Sequence, residues 1–156
     1  MATQPTTAPA PAQTATLYMA IKGAALAIEF YQEAFGATER YRLTEPSGKI
    51  GHAEIMIGNS VLMLADEYPD FGALSPVTLG GSPIRMHLNV PDADAFVQRA
   101  LDAGATLLRP VADQSHGERG GLIADQFGYS WFVGTPIEEV TPEEMQRRFT
   151  AALGGG

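Results

Sequence analysis

Hydrophobic and polar positions follow the same order twice along this chain. In each half an apolar strand precedes an amphipathic helix, and the triplets Gly36-Ala37-Thr38 and Gly104-Ala105-Thr106 close the two helices and lead into further strand-like sequence. Alternation with a period of two predicts strands, and apolar spacing of three and four predicts helices. The first unit comprises strands 17–21, 39–44, 50–57 and 60–65 and helix 24–35; the second comprises strands 84–90, 106–112, 122–124 and 129–133 and helix 93–103.

This repeat predicts an α+β fold built from tandem β-α-β-β-β modules, with paired curved sheets around a cleft. Thr141-Pro142-Glu143-Glu144 is a capping-box pattern and predicts a short C-terminal helix. Its apolar stripe, Met145, Phe149 and Leu153, would cover the domain's own edge or contribute to a dimer. The boundaries that follow are a flexible tail (1–15), a domain (16–135) with module one (16–66), a linker without helical periodicity (67–83) and module two (84–135), and a C-terminal helix and tail (136–156).

Composition and net charge limit the classes of molecule that this chain could bind. The 156 residues carry a net charge of -8, and an acidic surface repels nucleic acid and anionic membranes. The chain has no cysteine and no apolar stretch near the ~20 residues of a membrane helix. We expect a small-molecule partner, neither nucleic acid nor membrane, and a cytoplasmic location by default.

Strand alternation separates core-facing from cleft-facing side chains. In strand 84–90 the apolar residues Ile84, Met86, Leu88 and Val90 face one way. In strand 50–57, Ala53, Ile55 and Ile57 do the same. The side chains on the opposite faces, together with Tyr18 by the internal repeat, predict the lining of the cleft: Tyr18, His52, Glu54, Met56, Arg85, His87 and Asn89.

Two histidines on these faces are candidates for chemistry. His52 and Glu54 lie two residues apart on one strand face. They are either two solvated polar residues, a pair that contacts a ligand, or part of a metal site that also includes His87. His87, flanked by Arg85 and Asn89, is suited to an anionic or carbonyl-bearing ligand or is a hydrogen-bonded structural residue. His116 is assigned to a loop tip that could cover the cleft, and 125–128 to a turn between the last strands.

Several spaced motifs resemble the vicinal oxygen chelate superfamily, and its PhnB-like branch most closely, among glyoxalase and bleomycin-resistance relatives. They span residues 17–135 and include Phe35-Gly36-Ala37, Gly51-His52-Ala53-Glu54, Val90-Pro91-Asp92, Ala103-Gly104-Ala105 and Asp125-Gln126-Phe127-Gly128-Tyr129. The resemblance implies the glyoxalase/bleomycin-resistance fold, a cleft between modules and a homodimer. It leaves open whether the modules pair within a chain or across a dimer.

The resemblance also implies where a divalent metal would be held. Enzymes of the superfamily usually use His or Glu on the first and last strand of each module, which match Thr16, Met63, Arg85 and Phe132 here. None of these is a usual ligand for a divalent cation. We therefore expect no cofactor; any metal would need a non-standard set, His52, Glu54 and His87.

Two functions from different classes follow. The first is a metal-independent protein that binds an aromatic or cationic small molecule in the cleft between the modules, through Tyr18, Met56, Met63, Arg85, Asn89 and Phe132 with the polar residues above. The second is an isomerase or lyase in which His87 or His52 is a general base and Glu54 orients it. Metal-dependent glyoxalase or dioxygenase chemistry is not expected.

Overall fold

The computed structural model describes residues 13–154, and it contains two modules of the same topology. The first comprises β1 (Tyr18–Ile21), α1 (Ala24–Phe35), β2 (Thr38–Thr44), β3 (Ile50–Ile57) and β4 (Ser60–Asp66). The connection holds a 3-10 turn (Pro69–Phe71) and a one-turn helix, α2 (Pro76–Leu79). The second comprises β5 (Arg85–Asn89), α3 (Ala93–Asp102), β6 (Thr106–Asp113), β7 (Glu118–Ala124) and β8 (Ser130–Pro136), and α4 (Pro142–Gly154) follows.

Each module forms one four-stranded sheet. The strand orders are β1-β4-β3-β2 and β5-β8-β7-β6, with the first pair parallel and the others antiparallel in both. The two sheets are thus the same arrangement used twice. The α+β fold of tandem β-α-β-β-β modules predicted from the sequence is confirmed.

Helix α1 covers one face of the first sheet because its apolar residues recur at helical spacing. Ala24, Ile28, Tyr31 and Phe35 are all buried, as the pattern predicts. Gly36 ends the helix at φ 66°, a left-handed conformation that glycine adopts at little cost. The N-terminus of α1 is capped by a residue distant in sequence: Asp66 Oδ1 accepts hydrogen bonds from the backbone N–H groups of residues 23 and 24.

The modules join through α1, α3 and the turn 125–129. Phe35 stacks on Phe96 of α3 with ring centroids 5.4 Å apart, and Tyr31 meets Trp131 edge to face at 5.4 Å. Asp125 is buried beneath them and accepts hydrogen bonds from the Tyr31 hydroxyl at 2.6 Å and from Trp131 Nε1 at 2.9 Å. Burial and the neighbouring Asp125 carboxylate raise the pKa of Tyr31 well above its ordinary value. The turn predicted at 125–128 therefore also supplies a polar link between the modules.

Three details depart from the sequence predictions. The linker 67–83 contains helical turns, because Ser75 caps α2 through a bond from the Thr78 backbone N–H. Ile84 precedes β5 and is exposed rather than in the core. Strand β7 begins at Glu118, not at residue 122, because its glycines pair within the sheet.

Both ends of the described chain are tied to the sheets. Gln13 bonds the backbone N–H and carbonyl of Val61. The rest of the predicted flexible tail, residues 1–12, lies outside the described part. Helix α4 is held through Arg148, which donates to Glu138 and to the carbonyl of Ser115. Its predicted stripe of Met145, Phe149 and Leu153 is exposed.

Candidate functional site

The sheet face of module one that α1 leaves open carries a connected polar cluster. We call this surface the module-one face. Tyr18 Oη and His52 Nδ1 lie 2.8 Å apart, and His52 Nε2 lies 3.4 Å from Glu54 Oε2. Met63 lies between Tyr18 and Glu54 in the strand register. Tyr18, His52, Glu54 and Met63, all predicted as site residues, are therefore brought together, and the half-buried Met56 follows on the same strand.

Two side chains from β2 complete this cluster. Tyr41 donates its hydroxyl hydrogen to Glu54 Oε2 at 2.8 Å, and Arg40 donates to Oε1 at 3.3 Å. The bond from Tyr41 is the largest cause that lowers the pKa of Glu54 below its ordinary value, and it raises the pKa of Tyr41 in turn. Partial burial raises the pKa of Tyr18. Glu54 is therefore held as a carboxylate facing His52.

A cavity of about 530 Å³ opens beside this cluster, between β1, the connection 67–75 and the turn 125–129. Four aromatic residues, Tyr18, Tyr68, Phe71 and Tyr129, contribute rings to its wall. Tyr129 comes from module two and donates its hydroxyl hydrogen to the carbonyl of Ala20 at 2.9 Å. Since pockets for small molecules usually span about 300–1,000 Å³, this cavity is large enough for one.

The equivalent surface of module two, the module-two face, carries a different cluster. Glu118 accepts from His87 Nε2 through one carboxylate oxygen and from His116 Nε2 through the other, both at 2.8 Å. The His87 ring lies 4.8 Å from that of Phe132. His116, assigned to a loop tip from the sequence, lies on the β6–β7 turn but directs its side chain onto this cluster.

Arg85, His87 and Phe132 line a hollow of about 320 Å³ on the module-two face. Arg109 and His116 line it too. Asn89 lines a neighbouring hollow of about 310 Å³, where the β3–β4 hairpin of module one approaches the end of β5. The predicted trio on β5 is thus divided between two hollows, with His87 lining both.

Two glycines shape the module-two face. A Cβ at Gly120 would lie 2.8 Å from the Phe132 ring, and a Cβ at Gly134 would collide with Glu118 Oε2. By strand register Gly120 occupies the place that His52 holds in module one. Their missing side chains leave the space in which Phe132 and Glu118 lie.

The geometry does not fit the metal set of the superfamily. The strand register pairs Tyr18 with Met63 and His87 with Phe132. These four residues therefore hold equivalent places in the two modules. On the first strand of each module, the place lies two residues after the predicted Thr16 or Arg85. The four residues include one of the usual ligand types, His87. Among residues 13–154 no three His, Asp or Glu side chains are grouped to hold a metal ion, so the predicted non-standard set of His52, Glu54 and His87 is not assembled within one chain.

Sequence alternation missed Tyr41 and Arg109, and the same feature hid both. On β2, Glu39 pairs with Ile55 and Tyr41 pairs with Glu54, so two residues of β2 match one residue of β3. The same occurs on β6 between Leu107 and Arg109. Such a bulge transfers the following side chain to the opposite face. Glu118 was missed because Gly120-Gly121 was interpreted as part of a glycine-rich loop between two strands. The alternate spacing of His116, Glu118 and Gly120 is the signal that would have extended the predicted strand to Glu118.

Comparison with known proteins agrees with this architecture. The family model for the glyoxalase/bleomycin resistance protein/dioxygenase superfamily matches residues 14–133. An uncharacterised protein of Mycobacterium bovis is 42% identical over 141 residues, which cover 88% of this chain and 93% of the relative. None of the helices in residues 13–154 is long and apolar enough to cross a membrane.

Solved structures show the same fold. The X-ray structure of an Arabidopsis thaliana gene product has a TM-score of 0.65 at 25% identity and covers 78% of this chain and 98% of its own. The PhnB protein of Bacillus cereus has a TM-score of 0.60 at 16% identity, with 79% and 99% coverage, a likeness of fold alone. With the family model matching most of its length, the chain belongs to the glyoxalase/bleomycin resistance protein/dioxygenase superfamily.

Proposed function

We propose that this chain is a metal-independent small-molecule-binding protein whose ligand, aromatic or cationic, lies at the boundary between the modules. The observation that carries the proposal is the cavity of about 530 Å³ walled by Tyr18, Tyr68, Phe71 and Tyr129. Aromatic walls bind flat ligands by stacking and cations by their ring faces. The net charge of -8 also favours a cation at long range.

Phe71 gives the cavity its most accessible wall. Its side chain is 85% exposed at the end of the 3-10 turn, although an exposed aromatic of this size gains little for folding. Tyr68 is held in place by the connection itself, since its backbone pairs with that of Ala73. A ligand stacked on Phe71 would remove that ring from water, which favours binding.

Binding without a metal is proposed because the residue types at three of the superfamily's four ligand positions are unsuited to one. Tyr18, Met63 and Phe132 present a phenol, a thioether and a phenyl ring where carboxylates or imidazoles are usual. Side chains of this kind give contact area to an organic ligand. The same substitutions that remove a Lewis acid therefore add to a binding surface.

The test is thermal unfolding in the presence of aromatic and cationic compounds. A compound present at about 100 times its Kd should stabilise the protein by roughly 2.7 kcal/mol. Phe71→Ala should weaken binding without loss of stability, because the ring is exposed. Leu26→Ala is the control, since Leu26 is also a large exposed apolar residue but lies on α1, away from the cavity. Absence of a shift with every compound class, or equal effects of the two variants, would contradict the proposal.

The second candidate function is an isomerase or lyase, and the His52–Glu54 arrangement favours it. Glu54 is held as a carboxylate 3.4 Å from His52 Nε2, and Tyr18 Oη lies 2.8 Å from Nδ1. An imidazole placed between a phenol and a carboxylate can move a proton to or from a bound substrate. On module two the candidate base is His87, which bonds Glu118 but holds the strand position of Tyr18 rather than that of His52. Any turnover found should fall at least about 100-fold in His52→Ala or His87→Ala; unchanged turnover in both variants would refute this candidate.

A cytoplasmic homodimer is part of the proposal. The exposed stripe of Met145, Phe149 and Leu153 on α4, and the two open sheet faces, are surfaces that a second copy would cover. Sedimentation equilibrium should give twice the chain mass of 16.6 kDa. A mass of one chain at micromolar concentration would remove the dimer while leaving the ligand proposal testable.

A further inference from the structure

The hollow on the module-two face contrasts with the rest of the protein in its charge. The chain has eight arginines, and six of them bond a carboxylate or a backbone carbonyl. The other two, Arg85 and Arg109, have no ion pair and no side-chain hydrogen bond with any residue in 13–154. Both line the same hollow of about 320 Å³.

This arrangement is unusual for an acidic protein. With 18 Asp and Glu residues available, most guanidinium groups find a carboxylate. Two unpaired guanidinium groups beside one hollow repel each other, and that cost is offset when an anion lies between them. No Asp or Glu lines the hollow; Glu118, which contacts two of its lining residues, is already bonded through its two oxygens to His87 and His116.

The walls of the hollow also indicate which chemical group would accompany the anionic group in a ligand. Phe132 forms an aromatic side, with the His87 ring tilted against it at 4.8 Å. Guanidinium groups bind carboxylate and phosphoryl oxygens through paired N–H donors, whereas an aromatic wall favours an apolar or planar group. A bare inorganic anion would leave this wall unused.

We propose that the module-two hollow is a binding site for a small organic oxyanion, in which Arg85 and Arg109 hold a carboxylate or phosphoryl group and Phe132 contacts the apolar remainder. The site is separate from the aromatic cavity of module one and does not depend on the ligand proposed there. Glu118 keeps the His87 and His116 rings at the edge of the hollow, where they narrow the space open to the ligand.

Titration calorimetry with benzoate and phenylphosphonate tests the site, with inorganic phosphate as the bare anion and benzamidine as a cation of similar shape. We expect millimolar or tighter binding of at least one aromatic anion and weaker binding of phosphate. Arg85→Gln and Arg109→Gln should each raise Kd about tenfold, because each removes a charge-assisted pair of hydrogen bonds. Arg109→Lys should recover part of the affinity, since it restores the charge without the paired donors.

Arg147→Gln is the matched control, because it removes one positive charge from an exposed arginine on α4. Its Kd should stay within about twofold of wild type. The proposal is overturned if no aromatic anion binds up to about 20 mM, if both Gln variants bind as wild type, or if benzamidine binds with the same dependence on Arg85 and Arg109. Phe71→Ala separates this result from the module-one proposal, since it should leave anion binding unchanged.

Discussion

The module-one face and the module-two face share a backbone and differ in chemistry. Across module one, the row of residues in register is Tyr18, Met63, Glu54 and Tyr41. Across module two, the equivalent row is His87, Phe132, Leu122 and Arg109. The first row presents a carboxylate and two phenols, and the second presents an imidazole and a guanidinium. Strand order and bulges were retained in both halves while the residue types in the row diverged.

The difference shows how few positions separate the two faces. Gly120 stands where module one has His52, and the Phe132 ring fills the space that a side chain at Gly120 would need. Gly134 stands where module one has Ala65, and it leaves room for the Glu118 carboxylate. Small residues at two neighbouring positions thus allow larger side chains to lie across the sheet and change the site.

The largest effect on stability is expected at Asp125, whose buried carboxylate links the two modules. Asp125→Ala should destabilise the protein by about 3–5 kcal/mol, because it leaves the Tyr31 hydroxyl, Trp131 Nε1 and two backbone N–H groups without their buried acceptor. Urea unfolding measures the change. Asp113→Ala, which removes an exposed partner of Arg119, is the control and should cost less than about 1 kcal/mol. Similar losses in the two variants would show that Asp125 does not link the modules.

A smaller effect is expected from adding one carbon to each face. Gly134→Ala should move the Glu118 carboxylate away from His87, because its Cβ would collide with Glu118 Oε2, and it should cost about 1 kcal/mol, since that oxygen ends a flexible side chain. Gly51→Ala in module one should change stability by less than about 0.5 kcal/mol, because the nearest atoms lie 3.7 and 3.8 Å from the new Cβ. Unfolding free energies and the His87 imidazole resonances report the two consequences. A tolerated Gly134→Ala with an unchanged His87 resonance would contradict the packing described for module two.

The smallest effect concerns the pH dependence of the module-one face. Tyr41→Phe should raise the pKa of Glu54 toward 4.5, because the hydrogen bond from Tyr41 is the main cause that lowers it. A carboxylate with a lowered folded-state pKa stabilises the fold above its unfolded pKa, and that contribution is lost as pH falls through the folded pKa. The stability difference between wild type and variant should therefore be present above about pH 4.5 and shrink in stronger acid.

Carboxyl-carbon NMR titration of Glu54 measures this change directly. Tyr18→Phe is the control on the same face, because Tyr18 bonds His52 and not Glu54. It should leave the Glu54 titration where it is in wild type. An unchanged Glu54 pKa in Tyr41→Phe would show that the hydroxyl does not hold the carboxylate.

The sequence predicted the repeated scaffold well because the scaffold depends on local patterns. The apolar spacing in α1 and the left-handed glycine at 36 each have a local physical cause. The alternation in β3 correctly separated buried Ala53 and Ile55 from the polar side. His52 and Glu54 were grouped for the same reason, and Tyr18 was added to them through the internal repeat.

The rest of the site depends on contacts that alternation does not contain. Tyr41 and Arg109 reach the open faces through bulges, which reverse the facing of every residue beyond them. Glu118 belongs to β7 because two glycines pack closely in the sheet, although glycine usually indicates a turn. Asp125 acts at long range, since its partner Tyr31 is 94 residues away in the chain. The separation of His87 from His52 likewise follows from how the modules pack.

The central claim is that the two faces bind ligands of opposite character, and NMR titration of isotopically labelled protein with benzoate and with benzamidine tests it most directly. We predict that benzoate perturbs resonances around Arg85, Arg109 and Phe132 and that benzamidine perturbs those around Tyr18, Tyr68 and Phe71. Perturbation of the same residues by both probes, or of neither surface by either probe, would contradict the account.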